Sequence, residues 1–256
     1  ILPSERWSRI MTRKLEGQIT IITGGARGIG RGIAKRLAAD GAQVIIWDIR
    51  PEYFDSVAAG FEPIDTMAVD VADPESVATA AQTVLTTYGA PSIVVNNAGI
   101  NGPVVPVTDY DFETWRRVIQ VNLDSVFLVS RAFVPAMVEK SYGRIVTVAS
   151  IAGKEGVPGI AAYASAKAGA IGFTKSLAKE LVTSGVTVNA VAPVMVETEL
   201  LEQMTAEHIA ASKAKIPMQR LLGIEELAAV VAFAASPECS CTTGFVFDAS
   251  GGRATY

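Results

Sequence analysis

Ile19-Thr20-Ile21-Ile22-Thr23 runs directly into Gly24-Gly25-Ala26-Arg27-Gly28-Ile29-Gly30, and a helical stretch follows near 29–40. The first five residues are β-branched and mostly apolar, as in a strand buried on both faces. The glycines permit a tight turn and a close backbone approach to a pyrophosphate. The helix start beyond them offers free N–H groups and the positive end of its dipole. The spacing is G-x-x-x-G-x-G rather than G-x-G-x-x-G, so the strand before and the helix after give the turn its weight. Gly24, Arg27, Gly28, Ile29 and Gly30 are therefore candidate dinucleotide contacts.

The same alternation continues along the chain. Ile19–Thr23, Gln43–Asp48, Thr66–Asp70, Ser92–Asn96, Arg144–Ala149, Thr187–Ala192 and Gly244–Asp248 are seven candidate strands, most of them continuously apolar. Helices are predicted near 29–40, 74–88, 111–139, 160–184 and 225–235. Continuous apolar strands alternating with helices predict an α/β fold, a doubly wound parallel sheet with helices on both faces. No linker or repeat divides the chain, so residues 11–256 are expected to form a single domain. The alternation breaks between Val194 and Gly223, where a polar helical segment, Glu199–Lys215, ends at Pro217. An insertion after a strand's carboxyl end overhangs the ligand crevice, so residues 194–223 are read as a lid; the alternative is a surface helix with no part in binding.

Half of the 256 residues are hydrophobic and the net charge is −4, which suits a soluble globular protein and gives no basic footprint for nucleic acid or an anionic membrane. No run of about 18 apolar residues predicts a membrane span. Ile1–Arg9 lacks the apolar core of a secretory signal, and residues 1–10 are read as an extension or disordered arm preceding Met11. Cys239 and Cys241 have no further ligand candidates nearby, so reduced thiols in a cytoplasmic protein are expected rather than a metal site.

Asp48 ends the second strand, 24 residues beyond Gly24. A carboxylate there accepts both adenosine ribose hydroxyls and repels a 2′-phosphate, which predicts NAD. Arg27 and Arg50 stand where they could attract that phosphate instead, and Asp48 has the alternative role of a strand-end turn residue. Asp70-Val71 follows the third strand, where a carboxylate can accept from an adenine amino group. Asn96-Asn97-Ala98-Gly99 follows the fourth, and Gly99 lets backbone approach a cofactor. Each of these is also ordinary turn chemistry.

Downstream lie Ser150, Tyr163 and Lys167. Tyrosine and lysine four apart share a helix face. At ~4 Å and an effective dielectric of ~20, an ammonium beside a phenol favours the phenolate by roughly 4 kcal/mol, or about 3 pKa units before desolvation losses. Such a phenol can serve as a base near neutral pH, and with the dinucleotide turn it points to hydride transfer at a secondary alcohol or ketone.

Thr23-Gly24-(three residues)-Gly28-Ile29-Gly30, Asn96-Asn97-Ala98-Gly99, Asn122, Ser150 and Tyr163-(three residues)-Lys167 together resemble the short-chain dehydrogenase/reductase family over residues 15–252. The resemblance implies a seven-stranded Rossmann-type sheet in dimers or tetramers, here expected as a homotetramer, with the helices near 111–139 and 160–184 between subunits. It makes Tyr163 the general acid/base and Ser150 the hydroxyl that orients the substrate. Lys167 becomes the residue that binds the nicotinamide ribose and lowers the Tyr163 pKa, and Asn122 the residue that holds a water beside Lys167. Pro193, the Val196 backbone and Thr198 are implied at the nicotinamide carboxamide. The family usually has Pro-Gly after the sixth strand; here it is Pro193-Val194, which is expected to alter the local backbone because valine lacks glycine's access to positive φ.

The substrate is read less directly. The Ile151–Gly156 segment is taken as a loop on the crevice wall, where Lys154 could pair with a substrate carboxylate and Glu155 could accept from sugar hydroxyls. Arg253 in the tail Gly251-Gly252-Arg253-Ala254-Thr255-Tyr256 is a second candidate cation, and His208 sits in the expected lid. The loop and tail resemble those of bacterial sugar and sugar-acid dehydrogenases of the family, some of which oxidise a 2-keto-3-deoxy sugar acid. The expected substrate is a small molecule, anionic or polyhydroxylated. Two other readings stay open, a 3-oxoacyl-carrier-protein-type ketone reductase and a nucleotide-sensing interaction protein on an enzyme fold.

Overall fold

The computed structural model describes residues 14–198 and 206–256. The arm expected at residues 1–10, the lid stretch 199–205 and the side chain of His208 lie outside the described residues. The strands are β1 (Ile19–Thr23), β2 (Gln43–Asp48), β3 (Asp65–Ala68), β4 (Ile93–Asn96), β5 (Gly143–Val148), β6 (Val186–Pro193) and β7 (Val246–Ala249). The helices are α1 (Gly28–Ala39), α2 (Ser56–Ala59), α3 (Pro74–Thr87), α4 (Phe112–Ile119), α5 (Ser125–Glu139), α6 (Ile151–Glu155), α7 (Ala161–Glu180), α8 (Ala206–Ala214) and α9 (Ile224–Ala235).

All seven strands pair in parallel in the order β3-β2-β1-β4-β5-β6-β7. Each expected strand is present, displaced by at most two residues at either end. Alternate strand residues feed two cores. On one face Ile22, Ile46, Val95 and Val146 pack against Ile33 and Leu37 of α1 and Leu227 and Val231 of α9. On the other, Ile21, Trp47, Val94 and Ile145 meet Val77 and Val84 of α3, Phe133 and Met137 of α5, and Ala178 of α7. The chain reverses direction across the sheet between β1 and β4, and their carboxyl ends open the crevice in which folds of this kind hold ligands.

The helix starts have local causes. Asp73 accepts the Glu75 N–H at 3.1 Å ahead of Pro74, and Asp111 accepts the Thr114 N–H at 2.8 Å, bonds that hold the Asp111 carboxyl below its ordinary pKa. The long helix expected at 111–139 is continuous but carries a π turn at Gln120–Asp124 between α4 and α5. By length and mean hydropathy, 1.4 over its most apolar window, Phe112–Glu139 is long and apolar enough to cross a membrane. Here Val118, Val126, Val129, Phe133 and Met137 of that helix are buried within the fold.

One expectation about backbone is corrected. Residues 151–155, read as loop, form the helical turn α6, capped by the Ser150 side chain. Val194 takes no positive φ; it is buried with Ile151, Ile216, Leu221 and Ala254, so a packed valine stands in place of a flexible glycine.

Phe133 is fully buried, its ring 5.5 Å from that of Trp47. Phe133→Ala is expected to cost about 3–5 kcal/mol through the cavity it leaves, lowering the urea midpoint without changing the slope. A loss under about 1 kcal/mol would mean that the α5 face of the sheet collapses to fill the space.

Candidate active site

The crevice is built where the turn after β1 meets the turn after β4. The Thr23 hydroxyl accepts the N–H groups of Asn97 and Ala98, each at 3.0 Å. The Asn97 side-chain amide donates to the carbonyls of Thr23 and Gly24, each at 3.0 Å. Gly30 lies against this knot: a Cβ there would stand 2.1 Å from the Gly24 carbonyl oxygen and 2.7 Å from the Asn97 amide nitrogen. Gly24 and Gly28 have φ of +61° and +54°, and beyond Gly28 a Cβ would meet only open space. Arg27 precedes α1 without a side-chain cap, so the first N–H groups of α1 face that space unclaimed by a cap, while Ile29 packs down onto the core. Open room over an uncapped helix start fits a pyrophosphate.

Asp48 connects this turn to β2. Its carboxylate accepts the Ala26 N–H at 3.1 Å and the Arg50 N–H at 3.0 Å. The turn role foreseen for Asp48 is thus the one its bonds show, and these bonds fix the carboxylate beside the glycine-rich turn. The guanidinium groups of Arg27 and Arg50 both lie over the Tyr53 ring, 5.7 and 5.5 Å from its centre, and Arg50 donates to the Tyr53 hydroxyl at 2.7 Å. Asp70 pairs with Arg117 of α4 at 3.2 Å and accepts the Ala72 N–H, while Val71 is buried in the core.

Ser150, Tyr163 and Lys167 come together at the carboxyl ends of β5 and the start of α7. The Ser150 oxygen accepts the Ala152 N–H at 3.1 Å, and Ser150 stands near enough to the Tyr163 phenol to lower its pKa against the effect of burial. Lys167 is buried, donates to the Val148 carbonyl at 2.8 Å and lies 5.6 Å from the centre of the Tyr163 ring. Asn122, fully buried in the π turn, donates to the carbonyls of Ile100 at 2.8 Å and Val118 at 2.9 Å. Its Oδ1 has no partner among the described residues. A Cβ on Gly99 would fall 2.6 Å from that oxygen and 3.5 Å from the Lys167 ammonium, so Gly99 keeps open the space both face. A buried acceptor without a donor fits a bound water or a cofactor-linked hydroxyl there.

The charge balance differs from the expectation. Burial pushes the Tyr163 phenol above its ordinary pKa, against the Ser150 hydrogen bond that lowers it. Burial also lowers Lys167 to about 8, because its ammonium is surrounded by protein with no carboxylate paired to it among the described residues. Without ligand, desolvation therefore outweighs the stabilisation expected from an adjacent ammonium.

Among the residues expected at the nicotinamide, Pro193 closes β6, Val196 is buried and bridges to Leu222, and Thr198 is half-buried at the limit of the described residues. The substrate candidates are tied to each other's side of the cleft. Lys154, its side chain 6 % exposed, pairs with Asp248 at 3.1 Å. Arg253 pairs with Glu155 at 2.9 Å.

A family model described as enoyl-(acyl carrier protein) reductase matches residues 24–254. A 2-dehydro-3-deoxy-L-rhamnonate dehydrogenase (NAD(+)) of Sphingomonas sp. (strain SKA58) is 43 % identical over 96 % of this chain and 99 % of its own length. The chain belongs to the short-chain dehydrogenase/reductase family. It is an oxidoreductase of that family, similar also to the 3-oxoacyl-(acyl-carrier-protein) reductase FabG of Escherichia coli (strain K12), at 40 % identity over 93 % of this chain and 97 % of the relative. The crystal structure of gox2181 superposes with a TM-score of 0.89 at 31 % identity, covering 96 % of this chain and 98 % of that one.

Within this short-chain dehydrogenase/reductase, two contributors escaped the sequence reading. Thr23 was quoted only as part of the turn, and a threonine at a strand end gives no sign that its hydroxyl will accept two N–H groups. Asp248 ended a predicted strand, and nothing in its spacing pointed to Lys154, 94 residues away.

Lys167 yields a stability prediction. The folded protein loses its ammonium near pH 8 and the unfolded chain near 10.5, so between these values the unfolded state holds more protons. The Lys167 contribution to stability is therefore full above about pH 10.5 and is lost as pH falls through 8. Lys167→Met is expected to raise the melting temperature of the ligand-free protein at pH 7 by several degrees, on the order of 1–3 kcal/mol, with the gain vanishing above pH 10.5. A lower melting temperature at pH 7 would show that the bond to the Val148 carbonyl outweighs desolvation.

Proposed function

We propose that this chain is an NAD-dependent dehydrogenase that oxidises a secondary hydroxyl of a small sugar acid, of the 2-keto-3-deoxy class. The observation that carries the chemistry is the Lys167 ammonium, buried 5.6 Å from the centre of the Tyr163 ring, with Ser150 beside the same phenol. The substrate class is supported by the 2-dehydro-3-deoxy-L-rhamnonate dehydrogenase relative, which aligns over nearly its whole length.

In this reading Gly24, Arg27, Gly28, Ile29 and Gly30 cradle the pyrophosphate, and Asp48 accepts the adenosine ribose hydroxyls. Asp70 and Val71 border the adenine, while Asn97 and Gly99 shape the turn beneath the nicotinamide ribose. Pro193, Val196 and Thr198 meet the nicotinamide, and Lys167 and Tyr163 reach its ribose. A bound NAD supplies the hydride acceptor. The Tyr163 oxygen takes the proton of the substrate hydroxyl, and Ser150, its Oγ fixed by the Ala152 N–H, aims a donor at the oxygen whose charge changes. Cofactor hydroxyls at Lys167 give its ammonium new acceptors, which restores the charge that burial disfavours and favours the Tyr163 phenolate. The proton leaves along the Lys167 side toward the unpartnered Asn122 Oδ1. Residues 194–223 serve as a lid, and a homotetramer assembles through α5 and α7, where the exposed Phe127 meets Phe173 edge to face at 6.2 Å.

The 3-oxoacyl reading is favoured by the FabG relative and by the two guanidinium groups beside Tyr53. Asp48, fixed beside the ribose position, opposes the NADP that such a reductase would want.

Tyr163→Phe is expected to bind NAD as before and to lose about 10²–10⁴-fold in kcat; retained turnover would remove Tyr163 as the base. Asp48→Ala is expected to reduce discrimination against NADP about tenfold, equivalent to one charge-assisted hydrogen bond, and an unchanged NAD/NADP ratio would refute the cofactor assignment. Across 2-keto-3-deoxy sugar acids, aldonates, neutral sugars and polyols, strong reduction of NAD is expected to be confined to the acids, with only weak turnover of neutral alcohols. Turnover on a 3-oxoacyl thioester with NADPH in place of the acids would favour the ketone reductase.

A further inference from the structure

The helical turn that carries Ser150 cannot hold itself. α6 has five residues, far below the length at which an isolated helix is stable, so its position is imposed by what packs on either side. On its inner side Gly153 lies against α7: a Cβ there would come within 2.7 Å of the Lys167 backbone carbon. On its outer side stands the segment that follows β7. Lys154 is nearly buried in its pair with Asp248, and its ammonium lies 5.0 Å from the centre of the Tyr256 ring. The Tyr256 hydroxyl donates to the Lys154 carbonyl at 2.7 Å, and Arg253 holds Glu155 at 2.9 Å. Asp248 is itself fixed, accepting from both the N–H and the hydroxyl of the fully buried Ser250, whose oxygen accepts the Ala254 N–H at 3.0 Å. Ala254 packs with Ile151, the residue after Ser150, and with Val194, the residue after Pro193.

We propose that residues 248–256 form a clasp that positions Ser150, with the Lys154–Asp248 pair as its pivot, so that Lys154 acts through α6 rather than by holding a substrate carboxylate. The inference rests on the reading of Ser150 as the hydroxyl that orients the substrate. Its force comes from the Ser150 oxygen accepting the Ala152 N–H: any rotation of α6 about the Gly153 contact swings that N–H and moves the Ser150 hydroxyl with it. A nearly buried ammonium already paired with a carboxylate is a poor ligand for a second one, because breaking the pair would leave Asp248 partly buried and uncompensated.

The test compares Lys154→Met with Lys154→Arg on the substrate that the unsubstituted enzyme turns over best and on a neutral alcohol of the same panel. A positioning role predicts that Lys154→Met lowers kcat about tenfold on both, leaves KM for substrate and for NAD within about twofold, and is largely rescued by arginine. A rise in KM confined to anionic substrates would make Lys154 a substrate clamp and overturn the proposal, as would unchanged kinetics. Amide hydrogen exchange of residues 151–155 in the ligand-free protein is expected to quicken about tenfold in Lys154→Met, and unchanged exchange would overturn the clasp. This readout needs no substrate, so silence across the whole panel would count against the proposed function alone. Should Lys154→Met fail to fold, Tyr256→Phe, which removes one donor from an exposed ring, is expected to give a two- to threefold loss in kcat at constant KM; no loss would overturn the proposal.

Discussion

The site depends on how the ends of β1 and β4 are joined. Parallel strands that stop at a crevice leave N–H and carbonyl groups with no ladder to enter, and buried groups of that kind must find partners. Thr23 and Asn97 answer this with four bonds between the two turns, and the knot they make sets where everything else stands. It holds the Gly24 carbonyl against Gly30, which fixes the start of α1, and it leads the chain through Ala98 into Gly99, opposite Asn122 and Lys167. Without that closure the glycine-rich turn and the proton-handling groups would belong to separate surfaces.

The second constraint is electrostatic. A lysine with no carboxylate partner among the described residues and a phenol held in the same pocket each suffer from burial, and in the ligand-free protein both are shifted toward their neutral forms. The pocket is thus arranged for a visitor that brings hydroxyl acceptors. Stability is surrendered where chemistry is intended, a pattern that polar groups in active sites commonly show.

Sheet, helices and glycine-rich turn were legible because each is written in local pattern: apolar runs of strand length, helix-length stretches of longer period between them, glycines where the backbone crowds. The Ser150, Tyr163 and Lys167 set was legible from residue type and spacing once placed on a strand end and a helix. What could not be read were partners distant in sequence. Lys154 and Arg253 looked like free cations because their carboxylates, Asp248 and Glu155, become neighbours only after β7 docks beside β6. The balance at Tyr163 was misjudged for a related reason, since the attraction of an ammonium can be written from spacing alone whereas the cost of burial requires knowing what surrounds it. Val194 was read from its backbone preference, and the structure adds its packing with Ile151 and Ala254.

The π turn at Gln120–Asp124 has a bearing on how such a chain varies over evolution. A π turn is an α-helix wound with one residue too many, and here the surplus is what carries the Asn122 amide back to the Val118 carbonyl. Deleting a single residue between 120 and 124 would return Phe112–Glu139 to regular winding and would heal the helix rather than break it. The flanking halves would keep their packing, because the wide turn already absorbs the extra residue, while the open acceptor facing Gly99 would vanish. A lineage that shed the chemistry while keeping the fold has a one-codon route to do so, and a one-residue gap at this place in an otherwise well-aligned relative would be its trace.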